Sequence, residues 1–239
     1  MTANITLTYL DIRGRAECIR LLLEEIGVDY ADRQLTNEEW QELKPRTPFG
    51  QVPLLQIGDV ELAQTMAIVR HVARTHGLAG ETESERTRCD IAVEAIGDVD
   101  HHLGGLVWTP GFEDNRRSIA EDDFPARLAP VERFFGSSPK ESPFFAGASL
   151  SFADFIAFDC LENIEALFPG SLATTAWLSD FRDRMSERPA IKAYLASGRR
   201  PEAIMYGPRR HDRGDFSDPG AMTNSLRKIF PADHPDSAA

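Results

Sequence analysis

Strand-type alternation in this chain stops early, and that limits the folds open to it. Apolar and polar residues alternate in short runs only before about residue 62; beyond the polar stretch Ala79-Gly-Glu-Thr-Glu-Ser84 the apolar residues repeat with helical spacing alone. Residues 4–10 alternate as a strand. Residues 15–26 then place Ile19, Leu22, Leu23 and Ile26 on one helical face, and Gly27 stands where a helix ends in left-handed backbone. Residues 28–35 read as a second strand and 37–44 as a short helix. Residues 52–57 and 60–62 form a hairpin across Gly58-Asp59, and 64–76 form another helix that ends before Gly77. Strand, helix, strand, helix, hairpin and helix in that order predict an α/β unit built on a mixed sheet.

After the polar stretch, helical segments are predicted over 84–104, 118–136, 152–167, 174–186 and 189–196. Ser151-Phe-Ala-Asp154 ahead of an apolar run reads as a capping box. The expected division is an α/β domain over 1–79, an all-α helical domain over 84–206 and an extension over 207–239. The extension is rich in Gly, Pro, Asp and Arg, which predicts little regular structure. From Met205 and Tyr206 just before it to Leu226, Ile229 and Phe230 within it, the chain also carries apolar anchors, which predict patches of order around Tyr206 and 226–230.

Charge and cysteine usage exclude several functions. The formal net charge is -12, so neither nucleic acid nor an anionic membrane surface is an expected partner. Three cysteines, Cys18, Cys89 and Cys160, stand far apart without CxxC spacing, which fits buried thiols in a reducing compartment. No signal peptide and no apolar run of membrane-spanning length is read, so a cytoplasmic location is expected.

The chemistry concentrates at the end of the first strand. Tyr9 is delivered to a turn, and Arg13-Gly14-Arg15 follows at the start of a helix. A phenol O–H and a helix N-terminus both favour a thiolate over a thiol, so this arrangement suits an anionic sulfur.

Three stretches in order carry a family resemblance: Tyr9 with Arg13-Gly14-Arg15-Ala16-Glu17, then Phe49-Gly50-Gln51-Val52-Pro53, then Gln64-Thr65. Together they resemble a cytosolic glutathione transferase of the tyrosine type, with the sigma-like branch the nearest match. The likeness is detailed over about the first eighty residues and looser to about Tyr206. It implies a thioredoxin-like fold for the α/β domain, glutathione as co-substrate, no metal, a small apolar electrophile and a homodimer.

The resemblance also implies roles for named residues. Tyr9 would donate to the glutathione sulfur, and Arg15 would tune that hydroxyl or the sulfur. Val52-Pro53 would be a cis step, and Gln51, Val52 and Pro53 would meet the cysteinyl part of glutathione. Gln64 and Thr65 would open a helix whose N–H groups hold the γ-glutamyl carboxylate. Trp40 and Lys44, four apart on one face of the short helix, would meet the glycyl end. Asp98 would reach the glutathione amine in the neighbouring subunit, and Phe49 would anchor that subunit. Leu10, Ile12, Trp108 and Tyr206 are candidate cleft residues for the electrophile. Arg13 and Arg20 are read as solvating a helix face, Cys18 as a small buried residue inside the helix, and the Asp98, Asp100, His101 and His102 cluster as a solvated face. The rival functions are a glutathione-dependent isomerase of the prostaglandin D synthase kind and a non-catalytic ligand carrier or crystallin-like relative.

Overall fold

A computed structural model describes residues 4–107, 109, 112–137 and 142–205. The described residues form two compact units, one of residues 4–69 together with 196–205, the other within Arg70–Leu195.

The first unit is built on a four-stranded sheet with the order β2-β1-β3-β4. Its strands are β1 (Ile5–Leu10), β2 (Ala31–Leu35), β3 (Leu54–Ile57) and β4 (Val60–Ala63). β1 pairs parallel to β2 and antiparallel to β3, with Leu7 opposite Leu55, and β3 turns back into β4. The last four residues of β1 are all buried, the pattern of a central strand covered on both faces. Both edge strands carry exposed charged residues, Arg33 on β2 and Glu61 on β4, which oppose further strand pairing. β2 is shorter than the alternation predicts. The ladder starts at Ala31, opposite Thr6; β1 begins only one residue earlier, at Ile5, so residues 28 and 29 have no β1 residue opposite them.

Helix α1 (Glu17–Ile26) follows a 3-10 turn over Gly14–Ala16 and ends at Gly27, whose φ of 67° gives the left-handed cap that the sequence predicts. Helix α2 (Asn37–Leu43) starts from a capping box between Thr36 and Glu39. Helix α3 runs over Thr65–Thr75.

The second unit is helical. It comprises α4 (Glu83–Leu106), the short α5 (Arg116–Ser118), α6 (Phe124–Phe135), α7 (Phe152–Leu167), α8 (Ala176–Ser186) and α9 (Pro189–Ala196). The helix predicted over 118–136 is interrupted by a π-helical turn at Ile119–Asp123. Pro125 lacks an N–H for the carbonyl four residues back and its ring crowds that carbonyl; a wider turn there removes both conflicts. Helix α7 is apolar nearly all round and is buried as a core helix. At its start Asp154 accepts the Ser151 N–H at 2.7 Å, as in a capping box, and its other oxygen accepts the buried N–H of Phe145 at 2.8 Å. Phe135, Phe145, Trp177 and Phe181 form a cluster with edge-to-face contacts of 4.9 Å between Phe145 and Phe181 and 5.1 Å between Phe145 and Trp177. Thr175 does not cap α8 with its side chain; Glu132 of α6 supplies the acceptor, taking the N–H groups of Trp177 and Leu178 at 2.8 and 3.0 Å.

Candidate functional site

The end of β1 and the turn behind it set the centre of the site. Tyr9 is buried, and its hydroxyl oxygen accepts the backbone N–H of Arg15 at 3.1 Å. An N–H donated to a phenol oxygen polarises its O–H, making the hydroxyl a stronger donor to an anion. Gly14 permits this approach: its φ is +41°, and a Cβ on it would come within 2.7 Å of the Tyr9 oxygen. The Arg15 side chain is exposed.

The carbonyl of Arg15 in turn accepts the Thr65 hydroxyl at 3.3 Å, which brings the start of α3 to the same turn. Before Thr65, Gln64 holds φ at +72°, an uncommon left-handed conformation for a residue with a side chain. Its carboxamide donates to that of Gln51 at 3.1 Å. Gln51 leads into the Val52–Pro53 peptide, which is cis, and Pro53 is buried at the entry to β3. Tyr9, Arg15, Gln51, Val52, Pro53, Gln64 and Thr65 thus form one linked constellation in the first unit.

Trp40 and Lys44 form a second group in that unit. Trp40 is buried, and the Lys44 ammonium lies 6.0 Å from its ring centroid, at the outer range of a cation–π contact. The Lys44 stem also lies near the loop: a Cβ on Gly50 would stand 4.0 Å from its Cε. Asp98 belongs to the other unit, on the exposed side of α4. His102, its neighbour on that helix, is engaged by Asp123 and meets the Phe124 ring edge-on. Among the described residues no group of three His, Cys, Asp or Glu is placed to hold a metal. Leu10 and Ile12 are buried beside Tyr9 in sequence, whereas Trp108 and Tyr206 lie outside the described residues.

Two arginines depart from their expected roles. Arg20 is fully buried rather than solvated, and its guanidinium binds Glu17, Asp32 and the carbonyls of Ile12 and Arg13. Arg13 donates its Nε to the carbonyl of Pro201. Periodicity on α1 marks only the apolar face, so a buried arginine on that helix is invisible until its partners from β2 and the turn before α1 are placed. Glu17 three residues before Arg20 was the available signal. Cys18 is buried, though at the second position of α1 itself; the 3-10 turn ahead of it supplies the Arg15 carbonyl 3.8 Å from its sulfur. The pair Arg199-Arg200 carried no role in the sequence reading.

A mixed sheet of this order with a tyrosine, a cis-proline and a helix start gathered at one end is the architecture of a thiol-binding thioredoxin-like domain followed by a helical domain. The comparisons agree. The model described as "Glutathione S-transferase, N-terminal domain" matches residues 5–74, and "Glutathione S-transferase, C-terminal domain" matches residues 97–198. A Caenorhabditis elegans glutathione S-transferase P is 39% identical over 192 residues, covering 80% of this chain and 92% of the relative. The Onchocerca volvulus Pi-class glutathione S-transferase superposes with a TM-score of 0.76 at 30% identity, over 82% of this chain and 93% of that one. Rat hPGDS complexed with a quinoline superposes with a TM-score of 0.73 at 27% identity, over 84% of this chain and 100% of that one. The chain belongs to the glutathione S-transferase family. The sigma-like subtype rests on the sequence resemblance alone.

Proposed function

We infer that the protein conjugates the thiolate of glutathione to a small apolar electrophile. The observation that carries this reading is the hydrogen bond from the Arg15 N–H to the Tyr9 oxygen. A free thiol near pKa 8.5 is mostly protonated at neutral pH, and lowering that value by about two units takes roughly 2.7 kcal/mol of preference for the anion. One or two hydrogen bonds to a charged acceptor, at roughly 1.5–3 kcal/mol each, meet that need. Tyr9 donates to the sulfur; the thiolate attacks the electrophilic carbon, forming a C–S bond as the leaving group departs or the electrophile takes up a proton.

The remaining residues hold glutathione. The first N–H groups of α3 and the Thr65 hydroxyl face the γ-glutamyl carboxylate, with Gln64 beside them. The backbone of Val52, set by Pro53 and flanked by Gln51, pairs with the cysteinyl part. Lys44 binds the glycyl carboxylate above Trp40. Arg15 adds positive charge near the sulfur. Asp98 serves the glutathione of a partner subunit in a homodimer, for which Phe49, 64% exposed at its loop tip, is the anchor. The domains run over 1–79 and 84–206 with an extension over 207–239, and the protein is cytoplasmic; among the described residues no helix is long and apolar enough to cross a membrane.

A second reading, a glutathione-dependent isomerase, draws on the likeness to rat hPGDS. A non-catalytic carrier is the third. An assay of a panel of electrophiles with and without glutathione separates them. Glutathione-dependent adducts support the transferase; turnover of an endoperoxide-type substrate without net thiol consumption supports the isomerase; binding without turnover of either supports the carrier.

A further inference from the structure

The two peptide groups that flank Arg13 are fixed from two directions. From below, the buried Arg20 donates to the carbonyls of Ile12 and Arg13 at 3.1 and 3.3 Å. From the C-terminal side, the carbonyls of Ala203 and Ile204 accept the N–H groups of Arg13 and Gly14 at 2.7 and 2.8 Å. The next N–H in the chain is that of Arg15, the one donated to Tyr9.

The segment that brings those two carbonyls is itself held by two consecutive arginines. Arg199 makes a bidentate pair with Glu24 at 2.7 and 2.8 Å, and Glu24 also accepts the Tyr30 hydroxyl at 2.9 Å. Burial and the Glu24 charge push the Tyr30 phenol far above its ordinary pKa, so that proton stays in place. Arg200 donates its Nε to Glu17 at 2.6 Å, and Glu17 is fully buried. Glu17 and Glu24 are seven residues apart on α1, two helical turns along one side, and the adjacent arginines of this segment take one each. The exposed Arg199–Glu24 pair is worth little in water, whereas the Arg200–Glu17–Arg20 chain is shielded from it.

We propose that residues 199–204 act as a strap and that Arg200 is a positioning residue for thiolate activation: through Glu17 it seats the carbonyls of Ala203 and Ile204 on the turn that aims the Arg15 N–H at Tyr9. Arg200 touches no reacting atom. Loosening the strap lets the turn move, the Arg15 N–H leaves the phenol oxygen, and Tyr9 becomes a weaker donor to the sulfur. The proposal rests on the transferase reading of the Tyr9 site.

The test compares the full-length parent with Arg200→Gln, Glu17→Gln and Arg200→Lys. The pKa of bound glutathione is read from thiolate ultraviolet absorbance, together with kcat and KM from about pH 6 to 9 and amide exchange at residues 13–15. In Arg200→Gln the expected result is a rise of about one unit in that pKa, hence roughly a tenfold loss of kcat at the acid end that recovers at the alkaline end. KM for glutathione changes less than about twofold, and the Arg15 amide exchanges about tenfold faster. Arg200→Lys restores most of the pKa, since an ammonium can still meet Glu17. An unchanged pKa and unchanged exchange in folded Arg200→Gln, or a loss equal at every pH, overturns the proposal. If Arg200→Gln does not fold, Glu17→Gln and Arg200→Lys carry the same comparison. If the parent itself gives no thiolate signal with glutathione, the transferase reading fails, and amide exchange alone decides the strap.

Discussion

The hydroxyl oxygen of Tyr9 accepts the backbone N–H of Arg15 at 3.1 Å, six residues along the chain. In that bond the phenol oxygen is the acceptor. Tyr9→Phe deletes the donor while keeping the buried ring. The expected outcome is a rise of about one to two units in the pKa of bound glutathione, seen in the thiolate ultraviolet titration, with affinity nearly intact. A titration curve that superposes on the parent's removes Tyr9 from the mechanism.

Gly14 leaves open the space beside the Tyr9 oxygen that a side chain would fill. In Gly14→Ala the new methyl would meet that oxygen at 2.7 Å, and the backbone would hold φ of +41° with a side chain attached. Activity should fall by at least about tenfold, and stability by about 1–2 kcal/mol from the strained backbone. Urea unfolding and initial rates measure the two effects separately; a variant with parental rates shows that the turn can move without harm.

Asp154 gives the helical unit a pH dependence of its own. Burial pushes its carboxyl up to about 6 from an ordinary 3.8, against the lowering effect of the N–H groups of Phe145 and Ser151. The folded state therefore binds this proton more tightly than the unfolded one. The stability that the proton brings is fully present below about pH 4 and is lost as the pH rises to about 6, a change of about 3 kcal/mol. Asp154→Asn cannot titrate and lacks one acceptor oxygen. Its deficit relative to the parent should be larger at about pH 4.5 than at about pH 7.5 in urea unfolding. A deficit independent of pH contradicts the assignment.

Phe49 is the most exposed of the large apolar side chains among the described residues. Sedimentation of the parent at micromolar concentration should give a dimer, and Phe49→Ala should weaken it by at least about 2 kcal/mol, the cost of losing an anchor of this kind. A parent that sediments as a monomer with full activity rejects both the dimer and the shared role of Asp98.

Truncation after Gly207 leaves the strap in place and removes only the extension. The apolar residues from Phe216 to Phe230 lead to the expectation that melting temperature falls or electrophile selectivity changes. A truncated protein that matches the parent in both shows that the extension is dispensable.

Local patterns in the sequence determined most of the elements. Alternation placed β1, the spacing of Ile19, Leu22 and Leu23 placed α1, Gly27 ended it, and Ser151 with Asp154 started α7, because each of these signals acts within a turn or two of the chain. The Tyr9, Val52-Pro53 and Gln64-Thr65 motifs likewise named a constellation that the fold draws together. What only the tertiary structure decided involves partners distant in sequence. Arg20 is buried because Asp32 and Glu17 meet it, and the length of β2 is set by its ladder with β1, which starts at Thr6 and Ala31. Arg200 finds Glu17 across 183 residues of chain. A charged side chain looks solvated in any local window; whether it is buried depends on the opposite charge that folding delivers, and no periodicity records that delivery.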